Sequence, residues 1–464
     1  MVLNINFFVL TISCLIVALG KVFFSSLSTL GLMCFVSAFF VGILIKKKKL
    51  SIIDFAFVCA FLMNVWYVLF SFGNIRQYDY YNFVMFADYL VKNDFFVHHA
   101  GDYLKSVYFH PPLWGFLSAF VTKFTMLMGH TQDFGFDCSR FISLWAVGGT
   151  YIIFWRFINL LQFKLHLQIG LFVLFLFAPI NGIMANLVNN DALVYFLMWA
   201  GLYVSYVWYQ KQTYRLAVIL SILLFLAGMT KFSGLMIVPY IGVLGVFLII
   251  DAQNKFKKSM WGQFFIIATG AVLGFTWGIF LLYFDFPLVP PPIGVNFQDM
   301  SHYTLAERLF SLSQIGISFA DIRSNSLEPN VWLVLIKTSL FGEWKWEPLF
   351  WVNVLYSIGL FWAVVSVYTF FLLPTYRLGK DFALNAAIIV LVFSVFVAWI
   401  SFWLEYPYFC SSEFRYIVIL LPVSLLWIGA YLNQQSLPKA VNALLAGLVG
   451  LMIISRFMLY LNTI

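Results

Sequence analysis

Charge is what this sequence has least of. Only 10% of its 464 residues are Asp, Glu, Lys or Arg, while 63% are hydrophobic. A soluble domain carries about 25% charge and about 45–50% apolar residues. The shortage excludes a soluble globular enzyme and a disordered or collagen-like chain. The ten-residue alternation of an outer-membrane barrel is missing too, because the apolar runs are long and continuous. Cysteine is rare, with five in all. Cys14, Cys34 and Cys59 sit inside apolar runs and read as small core residues. Cys138 and Cys410 fall in polar segments, and the sequence does not set the distance that a bridge between them would need. There is no phosphate-cradling glycine motif and no zinc-type His-Glu spacing. His98 and His99 are adjacent, so they cannot share one helix face. No apolar run holds a cluster of acids at mid-depth, which disfavours an ion-coupled pump. No inverted repeat is visible, which weakens a secondary-transporter reading.

What the sequence has is hydrophobic length. A crossing needs about 20 apolar residues, and lipid requires backbone groups to be satisfied within the segment, so the runs should be helices. Runs near 5–24, 28–45, 51–72, 141–161, 167–185, 191–210 and 215–230 qualify, then 232–250, 261–283, 349–373, 382–404, 415–432 and 438–460. The expected fold is all-α, a polytopic membrane bundle of about 13 transmembrane helices. Residues 1–50 form an N-terminal transmembrane hairpin, and 51–464 form the main transmembrane domain with outer loops 73–140 and 284–348. The N-terminal run lacks a basic n-region and a cleavage site and reads as a retained span.

The net charge of +8 follows the positive-inside rule rather than suggesting nucleic acid. Clusters at Lys46–Lys49, Arg156/Lys164, Lys211/Arg215, Lys255–Lys258, Arg377/Lys380 and Lys439 are placed inside. They hold 14 of the 27 basic residues, with only Asp54, Asp251 and Asp381 beside them. The outer segments and span ends then carry 13 basic and 16 acidic residues. The apolar stretch 111–128, with Lys123 in its middle, must begin and end outside, so it lies on the surface or is re-entrant.

Four places on the outer side carry candidate chemistry. Asp79 follows the end of a span, where partial desolvation tunes a carboxylate. With Phe83, Phe86, Ala87 and Leu90 it shows helical spacing, so it is either a functional acid or a charge favourable to the helix dipole. Asn189-Asn190-Asp191 opens the run at 191 and reads as a helix N-cap or as a second outer carboxylate. Lys231, in Thr230-Lys231-Phe232-Ser233-Gly234, breaks the positive-inside trend. Lys231, Arg140 and Arg415 either snorkel to headgroups or bind a phosphate. Glu343, next to the interfacial Trp344 and Trp346, is a rim residue or lines a site. The triple proline Pro290–Pro292 makes a stiff loop.

Taken in order, these elements resemble the GT-C superfamily of integral membrane glycosyltransferases, in its protein-mannosyltransferase and aminoarabinose-transferase-like branch. Tyr78-Asp79-Tyr80-Tyr81 opens the first outer loop, and His110-Pro111-Pro112-Leu113-Trp114 is similar to the branch's Pro-Pro-Leu-aromatic element. Asn190-Asp191-Ala192-Leu193, Thr230-Lys231-Phe232-Ser233-Gly234-Leu235 and Phe414-Arg415-Tyr416 resemble three further elements. The likeness runs from about residue 51 onward. Tyr80 stands where many members carry a second acid, His110 where many carry Gln or a charge, and the 1–50 hairpin is extra.

The resemblance implies a polyprenyl-phosphate-linked sugar as donor and a glycolipid, polysaccharide or protein as acceptor, with inversion at the anomeric carbon. It implies Asp79 as general base and Asp191 as its helper or a donor ligand. Lys231, Arg140, Arg415 and His110 would meet the lipid phosphate, and Glu343 and Tyr80 would line the site. No metal ligand set is named, and use of a divalent metal stays open. The implied location is a bacterial inner membrane with the site facing the periplasm, or the endoplasmic reticulum in a eukaryote. The absence of an Asn-x-Ser/Thr sequon favours the former. The alternatives are a lipid-linked-glycan polymerase or ligase, and a lipid or solute transporter. Asp79→Asn is expected to leave folding intact and abolish sugar transfer, and full activity of that variant would overturn the assignment.

Overall fold

The computed structural model describes residues 7–23, 51–71, 80–95, 111–251, 258–283, 299–318, 328–372, 382–435 and 438–462. The expected span at 28–45, the Lys46–Lys49 cluster, Asp79, His110 and Pro290–Pro292 lie outside these residues. The first helices in order are α1 (Phe7–Phe23), α2 (Ile52–Phe70), α3 (Tyr80–Lys92), α4 (Leu113–Leu127), α5 (Gln132–Cys138) and α6 (Arg140–Leu160). There follow α7 (Leu165–Leu176), α8 (Pro179–Ala185), α9 (Asp191–Lys211), α10 (Tyr214–Thr230), α11 (Val238–Asp251) and α12 (Lys258–Tyr283). The last are α13 (Leu305–Phe310), α14 (Val331–Phe341), α15 (Leu349–Phe371), α16 (Phe382–Glu405), α17 (Leu420–Gln434) and α18 (Lys439–Leu461). The architecture is all-helical. An isolated bridge between Asp299 and Tyr408 is the one β-type pairing among the described residues.

Among the described residues, eight helical segments are long and apolar enough to cross a membrane, or ten if each of two bent pairs is one span. This makes a multi-pass membrane protein, in which several of the expected runs are broken or shortened among the described residues. These interruptions have physical causes. The run at 167–185 is broken at Pro179, the first residue of α8, and bends by 47° between α7 and α8. The run at 415–432 opens as 3-10 turns and bends by 52° before α17. α10 stops after 17 residues because Lys231 leaves helical geometry at φ −162° and ψ 137°. α1 is also 17 residues long. In the opposite direction, the segment 284–348, read as polar, contains the apolar helix α14.

The helical spacing expected of Phe83, Phe86, Ala87 and Leu90 is seen in α3. Phe86, Ala87 and Leu90 are buried, and Phe83 meets the Trp114 ring edge-on at 5.7 Å. α4 has 15 residues, too few to cross. It carries exposed Phe120 and Leu127 on one side and packs on α3 and α5 with the other. Cys138 is buried in α5, and neither it nor Cys410 is in a disulfide.

Helices meet closely where side chains are small. Gly270 and Gly274, four residues apart on α12, face Ser221 and Gly228 on α10. A Cβ on Gly270 would stand 2.1 Å from the Ser221 carbonyl oxygen, so only glycine fits. Such contacts let backbones approach where lipid gives no hydrophobic drive for helices to associate.

The break between α7 and α8 exposes carbonyls that lipid cannot satisfy. Arg456 of α18 supplies the donors. Its Nη1 donates to the carbonyls of Leu176 and Ala178, both at 3.3 Å, and its Nη2 donates to Asn64 Oδ1. Asn64 Nδ2 donates to Tyr151 Oη at 2.9 Å, and that hydroxyl donates to the Leu176 carbonyl at 3.1 Å. Arg456 is fully buried and caps the end of a helix, where a cation also complements the dipole. Replacing Arg456 by Leu leaves Leu176 and Ala178 with the Tyr151 hydroxyl and the Asn181 N–H but takes the donor from the buried Asn64 Oδ1, which should cost roughly 1–3 kcal/mol. It should therefore lower the thermal unfolding midpoint of the detergent-solubilised protein, and an unchanged midpoint would remove the capping role.

Candidate functional site

Two of the helix interruptions deliver charged side chains to one place. At the start of α9, the Asn189 side chain accepts from the Asp191 backbone N–H at 3.0 Å and donates to Asp191 Oδ2 at 2.9 Å. This local loop fixes the carboxylate rotamer. Asn190 Nδ2 donates to the carbonyl of Thr230, the last residue of α10, at 3.0 Å. That bond ties the beginning of α9 to the end of α10. The extended Lys231 then turns its ammonium onto Asp191 Oδ1 at 2.5 Å. Asn190 stands at the N-cap position of α9 without a side-chain cap bond, its amide being turned to Thr230. Asn189 does the local bonding, and the aspartate faces a cation.

The third strand of the site comes from the 3-10 turn Phe414–Ile417. The Phe414 backbone N–H donates to Thr338 Oγ1 of α14 at 2.9 Å, which docks the turn. Arg415 Nη1 lies 3.7 Å from Asp191 Oδ2, Nη2 lies 3.8 Å from Glu343 Oε1, and Nε lies 2.8 Å from Glu413 Oε2. The Tyr416 ring underlies both cations, 4.8 Å from Lys231 Nζ and 5.4 Å from the Arg415 guanidinium carbon. Lys231 is 14% exposed, and each of its charged neighbours is below 10%. Three carboxylates and two cations therefore share a site of low dielectric, where each charge counts for more than in water.

Glu343, Glu413 and Arg415 line a cleft whose other walls include Tyr67 of α2, Ile183 of α8 and Phe341 of α14. Gly342, at φ +64°, makes the turn that brings Glu343 round the end of α14. Behind the wall, Tyr67 stacks on Tyr460 at 4.5 Å, and the Arg456 guanidinium lies 5.0 Å from the Tyr460 ring. The helix-capping network thus backs the cleft. Polar groups converge here in a mostly apolar concavity, but its free volume of about 30 Å³ has room for little more than a water, well short of the roughly 300 Å³ of a formed ligand pocket.

Among the predicted site residues, Asp191, Lys231, Arg415 and Glu343 come together. Arg140 does not join them through its recorded contacts. It is buried in a second network, where Nη2 pairs with Asp137 at 2.5 Å and Nη1 donates to Asn186 Oδ1 at 2.8 Å and to the Ser71 carbonyl. Lys21 of α1 pairs with the same Asp137 at 2.7 Å. These contacts fasten α1, α2 and the start of α6. Tyr80 is buried at the first position of α3. Asp79 and His110 lie outside the described residues. Glu413 was not singled out from the sequence. Its signal was its place two residues before Arg415 in a short polar segment between apolar runs. Among the described residues, no group of three His, Cys, Asp or Glu side chains is arranged to hold a metal ion.

Breaking a buried ion pair by removing one partner costs about 3–5 kcal/mol, whereas neutralising both costs less. Lys231→Met alone should therefore lower the unfolding midpoint more than the double variant Asp191→Asn/Lys231→Met. A single variant as stable as the parent would show that the pair is not coupled. No protein-family model and no curated protein matches the chain, so the reading of this site rests on its own residues.

Proposed function

We propose that this multi-pass membrane protein is a glycosyltransferase. It moves a sugar from a polyprenyl-phosphate-linked donor to a glycolipid, polysaccharide or protein acceptor on the outer face of the membrane, with inversion. The observation that carries the reading is the convergence of Lys231 and Arg415 with Asp191, Glu343 and Glu413, at the mouth of α9 beside an apolar-walled cleft.

The chemistry needs such a set. The bond between the anomeric carbon and the phosphate oxygen breaks, and the electron pair stays on the lipid phosphate. The acceptor oxygen forms the new bond to carbon and gives its proton to a carboxylate. Negative charge grows on the phosphate as the bond breaks, so fixed cations beside it stabilise the transition state more than the ground state. Lys231 and Arg415 are those cations in this proposal. Asp79 remains the proposed general base, on the strength of the motif resemblance. Asp191 holds Lys231 in place until the donor arrives. The surplus of carboxylates over cations suits a site where one acid takes a proton.

The test uses the full chain reconstituted in vesicles with a radiolabelled polyprenyl-phosphate sugar and an acceptor fraction. Transfer of label to acceptor is expected, and Lys231→Ala or Arg415→Ala should lower kcat by about 100-fold or more, the usual loss for one transition-state donor. Translocation of label without transfer would replace the enzyme with a transporter.

A further inference from the structure

A second polar device lies away from the cleft. Lys337 of α14 and Glu328, just before that helix, form a fully buried ion pair at 2.5 Å. Glu328 Oε1 also accepts from the Asn330 backbone N–H at 3.0 Å. The Lys337 ammonium donates on to the carbonyl of Gln314 at 2.9 Å. The next carbonyl, that of Ile315, accepts from the Tyr356 hydroxyl of α15 at 3.0 Å. The Ser318 hydroxyl donates to Asn353, also on α15. Three side chains thus serve the non-helical stretch that follows α13.

Where that stretch lies is informative. α15 begins at Leu349, after the charged residues Lys345 and Glu347, and its first side chains, Leu349 and Phe350, are exposed apolar groups. Asn353 and Tyr356 stand four and seven residues further along, about 6 and 10 Å down the helix. Residues 315–318 therefore run beside α15 below its first turn. Backbone at that depth has to be satisfied by protein. The Ile315 and Ile317 N–H groups are satisfied by turn bonds to Leu312 and Gln314, at 3.1 and 3.0 Å. The Gln314 and Ile315 carbonyls take the two buried side-chain donors.

The outward side of the same stretch is apolar. Phe310 is 76% exposed, Leu312 59%, Ile317 45% and Ile315 43%, and no charged residue occurs from Phe310 to Ser318. At the other end the polarity reverses. The Glu307 carboxylate accepts from the backbone N–H and the hydroxyl of Thr304, both at 2.8 Å, and those bonds hold its pKa below the usual range. Arg308 turns inward onto the Trp403 carbonyl at 3.1 Å, so it leaves no cation on the apolar side.

The geometry points to an interfacial strap. Residues 310–318 lie in the boundary between headgroups and acyl chains, with Phe310, Leu312, Ile315 and Ile317 docked in bilayer lipid and the Lys337–Glu328 pair as the internal anchor. The partner is lipid because the stretch is bonded to α15, a helix apolar and long enough to span a membrane whose first side chains Leu349 and Phe350 are exposed, and because it offers no charge by which a protein partner would be selected. This inference does not depend on the sugar-transfer reading.

The test uses the full-length protein in phosphatidylethanolamine–phosphatidylglycerol vesicles doped with a phospholipid bearing a diazirine on its acyl chain. After irradiation, adducts are located by mass spectrometry. Peptides covering 310–318 should be labelled to within a few-fold of those from 349–371, the internal lipid-facing control. Adducts on 349–371 with none on 310–318 would overturn the proposal and leave a protein partner as the occupant. Replacing both anchor groups, Glu328→Met with Lys337→Met, should cut labelling of 310–318 several-fold while labelling of 349–371 stays constant. Unchanged labelling of the strap in that variant would overturn the role of the pair.

Discussion

In lipid, a backbone group that leaves helical geometry has to find a partner inside the protein. The rest of this structure depends on that constraint. Among the described residues, four places where the backbone leaves helical geometry are paired with side chains from elsewhere in the chain. Arg456 reaches from α18 to the break between α7 and α8. Asn190 takes the last carbonyl of α10. Thr338 takes the amide at the turn before α17. Lys337 and Tyr356 take the carbonyls of the segment after α13.

The same constraint explains why the charged groups gather where they do. A helix end is where the chain changes direction, and it is also where a polar side chain can be held at depth. Lys231 faces Asp191 because α10 ends just before it, and Arg415 reaches both Asp191 and Glu343 from a 3-10 turn that replaces the first turns of a span. The breaks that shorten the spans are therefore what builds the site. The cleft walls come from short helices, α8 and α14, rather than from full-length ones.

The sequence revealed the helical class, the positions of most apolar runs and four members of the charged cluster. Asp191 and Lys231 were legible because a charge at the end of an apolar run is conspicuous in a chain with so few charges. The breaks were less visible. The Leu-Phe-rich run around Phe177 keeps its hydropathy through the bend, and hydropathy does not register a 47° change of direction. The burial of Arg140 and Arg456 was not legible for a related reason. Nothing local in the sequence shows that distant carbonyls and amides are waiting for a basic side chain. Glu413 was passed over because its value lies in its distance from Arg415 and not in any motif. Lys337 and Glu328, nine positions apart, sat in a segment that composition marked as polar loop.

The pair between Lys231 and Asp191 has one more consequence. The cation is already occupied, so any anion that binds there must first displace a carboxylate held in place by Asn189. Affinity for the incoming anion is tempered by that competition, and the displaced carboxylate stays within reach. When the anion has to leave, Asp191 is the group that takes back its place. A built-in counter-ion of this kind lowers the grip on an arriving anion and eases its departure, so the site trades affinity for release.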